Sequence, residues 1–286
     1  MAYRIVTDSS SNVLALENEN YASVPMKIMV EKEYVDNAAL DVAAMVEDLR
    51  GHKGKSGSSC PNVGEWLDAF GDAEEVFAIT ITKHLSGSYN AAFQAAQDYM
   101  EAHPERRVCV IDSLSAGPQL MLLAEKIRAC EAAGDDFETT RDKVLAYQNT
   151  LHTLFCLESV MNLARNGRLN PAVAKIAGML GIRVAGDAEG GELALCHKPR
   201  GHRRTTRLLV DMIRERGFQD GNIIRVSHCF ADEAAESFRE ALLAEFPNAR
   251  FRLEPTTALC SFYAESGGLI IAFEGSFNEK NDNRKF

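Results

Sequence analysis

Four serine-rich turns in the first 120 residues carry the side chains best suited to hold a ligand. They are TDSS at Thr7–Ser10, SSCPN at Ser58–Asn62, HLSGS at His84–Ser88 and DSLSAG at Asp112–Gly117. Three of them follow apolar runs that predict strands, so they fall where a strand passes into a helix. Small hydroxyls and backbone N–H groups at such a position can hold an anion or a carboxylate. Ligand capture is therefore the leading functional hypothesis.

The same serines also have an ordinary structural explanation, because serine is a favoured N-cap of helices. N-caps alone give no reason for the serine-rich turns to lie close together. The carboxyl ends of parallel strands share one edge of the sheet, so the loops after Val6, Ile81 and Ile111 would meet there. An enzyme is the alternative, either an acyl transferase or hydrolase that uses Ser86, or a phosphotransferase that uses a histidine such as His228. The sequence contains neither a G-x-S-x-G elbow nor the common glycine-rich phosphate motifs.

The bulk composition argues against several classes of function. The formal net charge is -10 and the pI is near 5.3, whereas a nucleic-acid surface needs concentrated Lys and Arg, so no nucleic-acid partner is expected. The seven cysteines form no C-x-x-C pair, which predicts reduced thiols and no metal site. We expect a cytoplasmic protein, because no signal peptide and no apolar run of roughly 20 residues is visible.

One dense basic segment, KPRGHRRTTR at 198–207, interrupts the acidic chain. Its ordinary explanation is a solvated helix start, and a weaker alternative is a regulatory or RNA-binding surface. An arginine can instead pair with a buried carboxylate, because guanidinium stays charged and offers paired donors. Arg200 precedes Gly201 and Arg168 follows Gly167, and glycine lets the backbone approach a ligand closely. These two arginines are the best placed candidates for a carboxylate contact.

The elements that must position these residues alternate between short apolar runs and longer stretches of helical period. This pattern predicts an α/β fold with a mainly parallel sheet in the N-terminal half. The predicted strands are Arg4–Val6, Val76–Thr82, Val108–Ile111 and His152–Leu157. Between the first two lies Tyr21–Val35, where two extended runs around Pro25 predict an edge hairpin.

The length of 286 residues fits two domains of ordinary size. The pattern changes near residue 152, so we predict an N-terminal α/β domain at 1–152, which carries the serine-rich turns, and a C-terminal α/β domain at 153–286. Two domains also offer a cleft between them. In the second half, Asn170 and Pro171 predict the cap and first turn of a helix over AVAKIAGML.

The order of the motifs is more informative than any one of them. Along the chain come TDSSSNV, SSCPNVGEW, ITKHLSGSYNAA, VIDSLSAG, ARNGRLNPAVAKIAGMLGI, HKPRGHRR and VSHCFADEA. In this order the sequence resembles the DegV family of bacterial fatty-acid-binding proteins over nearly the whole chain. The resemblance implies two α/β domains that enclose one long-chain fatty acid, with the carboxylate at the interdomain cleft and the acyl tail in an apolar tunnel.

The resemblance also implies a lipid carrier without a cofactor or catalysis of its own. Such a carrier presents the fatty acid to a separate ATP-dependent fatty acid kinase, which makes an acyl phosphate for phospholipid synthesis. The predicted partners are therefore the fatty acid and the kinase, with transient contact to a membrane. Acyl chain length, saturation and oligomeric state stay open.

The motifs of the family assign the ligand contacts. Ser58 stands where the family usually has the threonine of a T-S-x-P-S pattern, and Ser86 with Gly87 matches its L-S-G turn. Arg200 matches the arginine of its R-G pair. Together with the candidates from turns and strand ends, the predicted ligand-binding residues are Ser58, Ser59, Ser86, Gly87, Asp112, Ser113, Arg168, Arg200, His228 and Tyr263.

Several positions depart from the pattern of the family. Asn62 replaces the second serine of T-S-x-P-S, and Asn166 stands where a glycine is more usual. The largest change is near the C-terminus, where many members have H-x-G-P-G. In this chain Tyr263 occupies the histidine position and Glu265 that of the first glycine.

Overall fold

The computed structural model describes residues 3–16, 20–52, 54–169 and 182–278. Within them the chain forms a parallel sheet, a larger mixed sheet and a small third sheet, with helices between and around them. The α/β fold class expected from the sequence is confirmed. The helix predicted to begin at Asn170 lies outside the described residues.

The strands in the described part of the chain are β1 (Arg4–Asp8), β2 (Tyr21–Val24), β3 (Lys27–Met29), β4 (Glu33–Val35), β5 (Gly57–Ser59), β6 (Glu75–Thr80), β7 (Arg107–Asp112), β8 (Leu151–Leu157), β9 (Val184–Asp187), β10 (Ala194–His197), β11 (Ile223–His228), β12 (Arg250–Pro255) and β13 (Leu269–Glu274). The α-helices are α1 (Val42–Gly51), α2 (Val63–Phe70), α3 (Ser88–Ala102), α4 (Pro118–Ala132), α5 (Phe137–Gln148), α6 (Met161–Arg165), α7 (His202–Glu215), α8 (Asp232–Glu245) and α9 (Ala258–Ala264).

The first sheet has the strand order β2-β1-β6-β7, and all of its pairs are parallel. Successive residues of a strand point to opposite faces, so β6 buries Val76 and Ala78 on one side and Phe77 and Ile79 on the other. Helices α2 and α3 cover the first face and α4 covers the second. Burial on both faces explains the continuous apolar runs of these strands.

The second sheet has the strand order β10-β9-β8-β13-β11-β12 and mixes parallel and antiparallel pairs. Strand β8 lies in this sheet and is antiparallel to both β9 and β13. The expectation that His152–Leu157 continues the parallel sheet is therefore wrong. All seven residues of β8 are buried, and an apolar run of this kind does not reveal the direction of the neighbouring strands.

The segment around Pro25 connects two sheets. Strand β2 pairs in parallel with β1, whereas β3 pairs antiparallel with β4 and β5 in the small sheet. The edge hairpin predicted around Pro25 is therefore wrong, and the hairpin of this region is β3–β4. Proline offers no N–H to a ladder, which suits a point where the chain leaves one sheet for another.

The register of the parallel sheet brings its loops together. Thr7 pairs with Ile79, and Thr80 pairs with Asp112, so β1, β6 and β7 end side by side. The turns that follow these strands share one edge, as the sequence predicted. No helix within the described ranges is both long enough and apolar enough to cross a lipid bilayer.

Candidate functional site

A cavity of about 280 Å³ lies where the carboxyl edge of the parallel sheet meets β8 and β13 of the mixed sheet. Most of its wall is apolar and comes from both sheets and from the loops that follow the parallel strands. Representative lining residues are Met26, Ile81, Ala116, Phe155, Leu157 and Ile270. An apolar cavity with a few polar groups is the usual form of a small-molecule site.

The polar part of the wall is small. It comprises Ser58, Ser59, Ser86, Thr153, Arg168 and Tyr263. Thr153 is buried, donates to Gln119 Oε1 at 2.7 Å and accepts from Ser115 Oγ at 2.8 Å. Its hydroxyl is thus satisfied within the protein. The capacity to bind a polar ligand group therefore rests on the other members of this set.

Ser58 and Tyr263 meet in the polar part of the wall, with 2.8 Å between Ser58 Oγ and Tyr263 Oη. Below, the mouth denotes the four half-buried polar lining residues Ser58, Ser86, Arg168 and Tyr263. Ser58 lies in β5, where it is opposite Ile28 of the neighbouring strand β3. Tyr263 is in the last turn of α9. Since each hydroxyl has one hydrogen, only one of the two is used in this contact, and the other can be donated to a ligand.

Arg168 contacts the backbone near Ser86 and the ring of Tyr263. Its Nε donates to Leu85 O at 3.2 Å and its Nη1 donates to Asn166 O at 2.6 Å. The guanidinium carbon lies 5.9 Å from the centroid of the Tyr263 ring, within the range of a cation–π contact. The side chain therefore connects the loop before Ser86 to the helix that carries Tyr263, and places a positive charge beside both.

Ser86 lies in the turn between β6 and α3, next to Gly87. Its Oγ accepts from Ser88 N at 3.2 Å, and no hydrogen bond among the described residues uses its hydroxyl hydrogen. A Cβ on Gly87 would lie 3.3 Å from Cys60 Sγ, so the glycine allows the two serine-bearing turns to approach closely. The hydroxyls of Ser58 and Ser86 thus belong to turns that contact each other.

Four predicted ligand residues do not line the cavity. Asp112 Oδ1 accepts from Leu114 N at 3.1 Å, and burial raises the pKa of this carboxyl above its ordinary value. Ser113 Oγ donates to Ser115 O at 3.1 Å, and His228 Nδ1 accepts from Ala231 N at 3.3 Å. These three side chains stabilise their own turns.

Arg200 is the fourth residue outside the cavity wall. It is exposed, and its backbone forms an isolated bridge with Ile182 before α7 begins. The other arginines and the lysine of the basic segment are exposed as well. Of the two arginines predicted beside glycines, the one that lines the cavity is Arg168.

His228, the histidine considered for catalysis, and His84, which belongs to the HLSGS turn, each lie near a carboxylate. His84 Nδ1 lies 3.6 Å from Glu192 Oε1, and His228 Nε2 lies 3.9 Å from Asp232 Oδ1. Within the described residues no hydrogen bond joins either histidine to Ser58 or Ser86. A hydroxyl nucleophile needs a base within hydrogen-bond reach, and this geometry does not supply one.

Several lining residues were missed by the sequence predictions. Thr153, Phe155 and Leu157 alternate along β8 and face the cavity. Their spacing of two was visible in the sequence and would have identified this face. Leu163 in α6 and Leu259 in α9 have no such signal, because short helices show too little period to reveal which face is buried.

Two departures from the family pattern have local explanations. Asn62 is the N-cap of α2: its Oδ1 accepts from Glu65 N at 3.0 Å while Glu65 Oε2 accepts from Asn62 N at 2.8 Å. This capping box fixes the end of the SSCPN turn. Glu265 Oε1 accepts from Ser159 Oγ at 2.8 Å and from Asn162 N at 3.1 Å, and so ties the end of α9 to the start of α6.

The sequence matches the profile described as "Uncharacterised protein, DegV family" over residues 2–274. A DegV domain-containing protein of Streptococcus gordonii is 37% identical over 280 residues, which cover 96% of this chain and 99% of that protein. A DegV domain-containing protein of Streptococcus pyogenes serotype M1 is 33% identical over 280 residues and is covered completely.

Solved structures agree with this fold. A DegV family protein from Eubacterium eligens loaded with heptadecanoic acid has a TM-score of 0.93 and 34% identity, covering 96% of this chain and 100% of that one. The Streptococcus pneumoniae Fatty Acid Kinase (Fak) B3 protein loaded with linoleic acid also has a TM-score of 0.93, with 36% identity and the same coverage. This chain therefore belongs to the DegV family.

Proposed function

We propose that this protein binds one long-chain fatty acid in the cavity and presents its carboxyl group to a fatty acid kinase. The observation that carries the proposal is the division of the cavity wall into an extensive apolar part and one polar mouth formed by Ser58, Ser86, Arg168 and Tyr263. Its relatives from Eubacterium eligens and Streptococcus pneumoniae carry heptadecanoic and linoleic acid, which supports the same ligand class here.

The acyl tail supplies most of the affinity. Transfer of about 14 methylenes from water, at roughly 0.8 kcal/mol each, releases on the order of 11 kcal/mol. The apolar residues of β8, β13 and the loops after β6 and β7 provide the matching surface. Because this energy depends on contact with the tail, the shape of the cavity sets chain-length preference.

The mouth offsets the cost of burying a carboxylate. An unpaired carboxylate in an apolar site costs several kcal/mol, whereas hydrogen bonds and a nearby cation compensate for the lost hydration. The hydroxyl hydrogens of Ser58 or Tyr263 and of Ser86 are the donors, and Arg168 is the cation. These groups fix which end of the fatty acid faces outward, and this orientation is what a kinase requires.

We further propose that the protein is a cytoplasmic carrier without catalysis of its own. The arrangement of His84 and His228 away from the cavity hydroxyls supports this over a serine- or histidine-dependent transferase. The name of the Streptococcus pneumoniae relative supports a kinase as the partner. Incubation with oleoyl esters should then give no turnover above a Ser86→Ala control.

The ligand is tested by native mass spectrometry of the protein purified from bacterial cells. We expect the mass of one long-chain fatty acid per chain. After delipidation, titration with oleic acid should restore one equivalent. A protein that is recovered empty and takes up no fatty acid contradicts the proposal.

The two arginines offer a matched pair for testing the mouth. Arg168→Ala should weaken oleic acid binding by at least about 10-fold, since a hydrogen bond to a charged group contributes about 1.5–3 kcal/mol. Arg200→Ala removes the same charge from an exposed position and should leave the affinity unchanged. Equal effects of both substitutions on oleic acid affinity would show that Arg168 does not contact the ligand carboxylate.

The kinase step is tested by supplying the loaded protein to a bacterial fatty acid kinase with ATP and trapping acyl phosphate as the hydroxamate. Product should form only when this protein is present. Product formed at the same rate from free oleic acid would contradict the presentation step while leaving the binding proposal intact.

A further inference from the structure

The TDSS turn is buried and takes no part in the cavity wall. After β1 it forms one 3-10 turn, Ser9–Ser11, in which Asp8 is the N-cap and accepts from Ser10 N at 3.3 Å. Asp8 and Ser9 are both fully buried. Such polar groups need partners, and these partners connect the turn to the three segments that carry Ser58, Ser86 and Tyr263.

The first connection leads from Asp8 to Ser86. Asp8 Oδ2 accepts from Ile81 N at 2.9 Å and from Ser88 Oγ at 2.7 Å. Ile81 follows β6 and Ser88 begins α3, so the carboxylate holds both ends of the turn that contains Ser86. Ser88 N in turn donates to Ser86 Oγ at 3.2 Å. The position of the Ser86 hydroxyl therefore depends on Asp8.

The second connection leads from Ser9 to Ser58. Ser9 Oγ accepts from Met26 N at 3.0 Å, immediately before β3 begins. Strand β3 pairs with β5, and Ile28 of β3 lies opposite Ser58 of β5. The hydroxyl of Ser9 thus fixes the start of β3, the strand that pairs with β5 and so positions Ser58.

The third connection leads from Ser9 to Tyr263. Ser9 Oγ donates to Asp36 Oδ2 at 2.8 Å, and the Asp36 carboxylate accepts from Ala258 N at 2.8 Å and Leu259 N at 3.0 Å. These are the first N–H groups of α9, where a negative charge is favourable. Because Tyr263 lies in the same short helix, the Asp36 contact sets its position.

We propose that Asp8, Ser9 and Asp36 are positioning residues that set the spacing of the Ser58, Ser86 and Tyr263 hydroxyls around the ligand carboxylate. The inference rests on the proposed fatty-acid function. One buried turn is linked to all three segments, to β5 through Met26 and β3, whereas none of its side chains lines the cavity. Its effect should therefore appear in the recognition of the carboxylate and leave contact with the acyl tail unchanged.

The test compares oleic acid with oleyl alcohol, which has the same tail and no carboxylate. The quantity measured is the ratio of the two affinities in delipidated protein. Asp8→Asn and Ser9→Ala should each lower the preference for the acid by about 3- to 10-fold, as expected for loss of a hydrogen-bonded group at or near the site. Affinity for the alcohol should stay at the wild-type value.

Ser88→Ala is a milder variant in case Asp8→Asn does not fold, since it removes only the hydroxyl that donates to Asp8. Ser11→Ala is the matched control. Ser11 belongs to the same buried turn, but its hydroxyl contacts Thr7, Val13 and Tyr21 instead of the elements of the mouth. It should leave the acid preference unchanged even where it lowers stability.

The outcomes separate the two proposals. If wild-type protein binds neither ligand, or binds both equally, the proposed function fails. If wild type prefers the acid and Ser88→Ala and Ser9→Ala keep that full preference, the positioning inference is overturned. An equal loss of preference in Ser11→Ala also overturns it, because general loosening of the turn would then explain the effect.

Discussion

The mouth and the TDSS turn both contain serines from serine-rich turns, and these serines lie in opposite environments. Ser58 and Ser86 are partly exposed, line the cavity and can still donate to a ligand. Asp8 and Ser9 are fully buried, and their hydrogen bonds are made within the protein. The comparison teaches that a serine-rich turn does not by itself identify a ligand contact. Its burial decides whether the hydroxyl is free for a ligand or is used within the protein.

The largest expected difference between the two regions is in stability. Asp36→Ala leaves the N–H groups of Ala258 and Leu259 without their acceptor in a buried site, at about 1–3 kcal/mol for each unpaired group. We expect the free energy of unfolding in urea to fall by about 3 kcal/mol. Ser58→Ala at the mouth should change it by less than about 0.5 kcal/mol. Equal losses would erase the distinction between mouth and buried turn.

The pH dependence of stability should also differ. Burial raises the pKa of Asp8 above its ordinary value of 3.8, against the effect of the hydrogen bonds from Ser10 and Ser88. The folded state then binds the proton more tightly than the unfolded state, so the stability contribution is complete below pH 3.8 and is lost as pH rises through the folded pKa.

We therefore expect the stability of wild type relative to Asp8→Asn to fall as pH rises from about 4, by up to about 1.4 kcal/mol per pH unit. Urea unfolding at a series of pH values measures this difference. The free energy of unfolding of the mouth variant Ser58→Ala should depend on pH in the same way as that of wild type. A wild-type curve parallel to that of Asp8→Asn would show that the Asp8 pKa is not raised.

Tyr263 should give an intermediate effect on binding and almost none on stability. Tyr263→Phe removes the hydroxyl that contacts Ser58 at 2.8 Å and should weaken oleic acid binding by about 3- to 10-fold. Tyr263→His, which restores a hydrogen-bonding group, should recover part of the loss in the same titration. A large loss of stability with unchanged affinity would instead group Tyr263 with the buried turn.

The smallest effect is expected at Ser59. This exposed residue lines the edge of the mouth, and its side chain can exchange a ligand contact for one with water. Ser59→Ala should change oleic acid affinity by less than about 2-fold and stability by less than about 0.5 kcal/mol. A tenfold loss of affinity would extend the mouth outward to this residue.

Much of the fold followed from the sequence, because period and turn chemistry act locally. The parallel strands and the shared edge of their turns could be predicted from alternating apolar runs. The direction of β8 could not, since a strand buried on both faces has the same pattern in either direction. Likewise, Pro25 predicts an interruption in the hydrogen bonds between strands, but it does not show that the chain passes from one sheet to another there.

The site was predictable only in part. Arg168 and Arg200 are equivalent in the sequence, each beside a glycine, and what separates them is the packing of the Arg168 side chain against the carbonyl of Leu85. Asp8 accepts from Ile81 N, 73 residues along the chain, and Asp36 accepts from Ala258 N, 222 residues along the chain. No local pattern encodes contacts of this kind.

The contact between Ser58 and Tyr263 joins residues 205 positions apart in the chain. The parallel sheet ends with β7 at Asp112, whereas α9 begins at Ala258, so the ribosome completes the whole parallel sheet well before it reaches α9. The contact between Ser58 and Tyr263 can form only after α9 has been synthesised. Under the proposed function, a chain that ends before α9 lacks Tyr263 and could not hold the ligand carboxylate at all of its contacts.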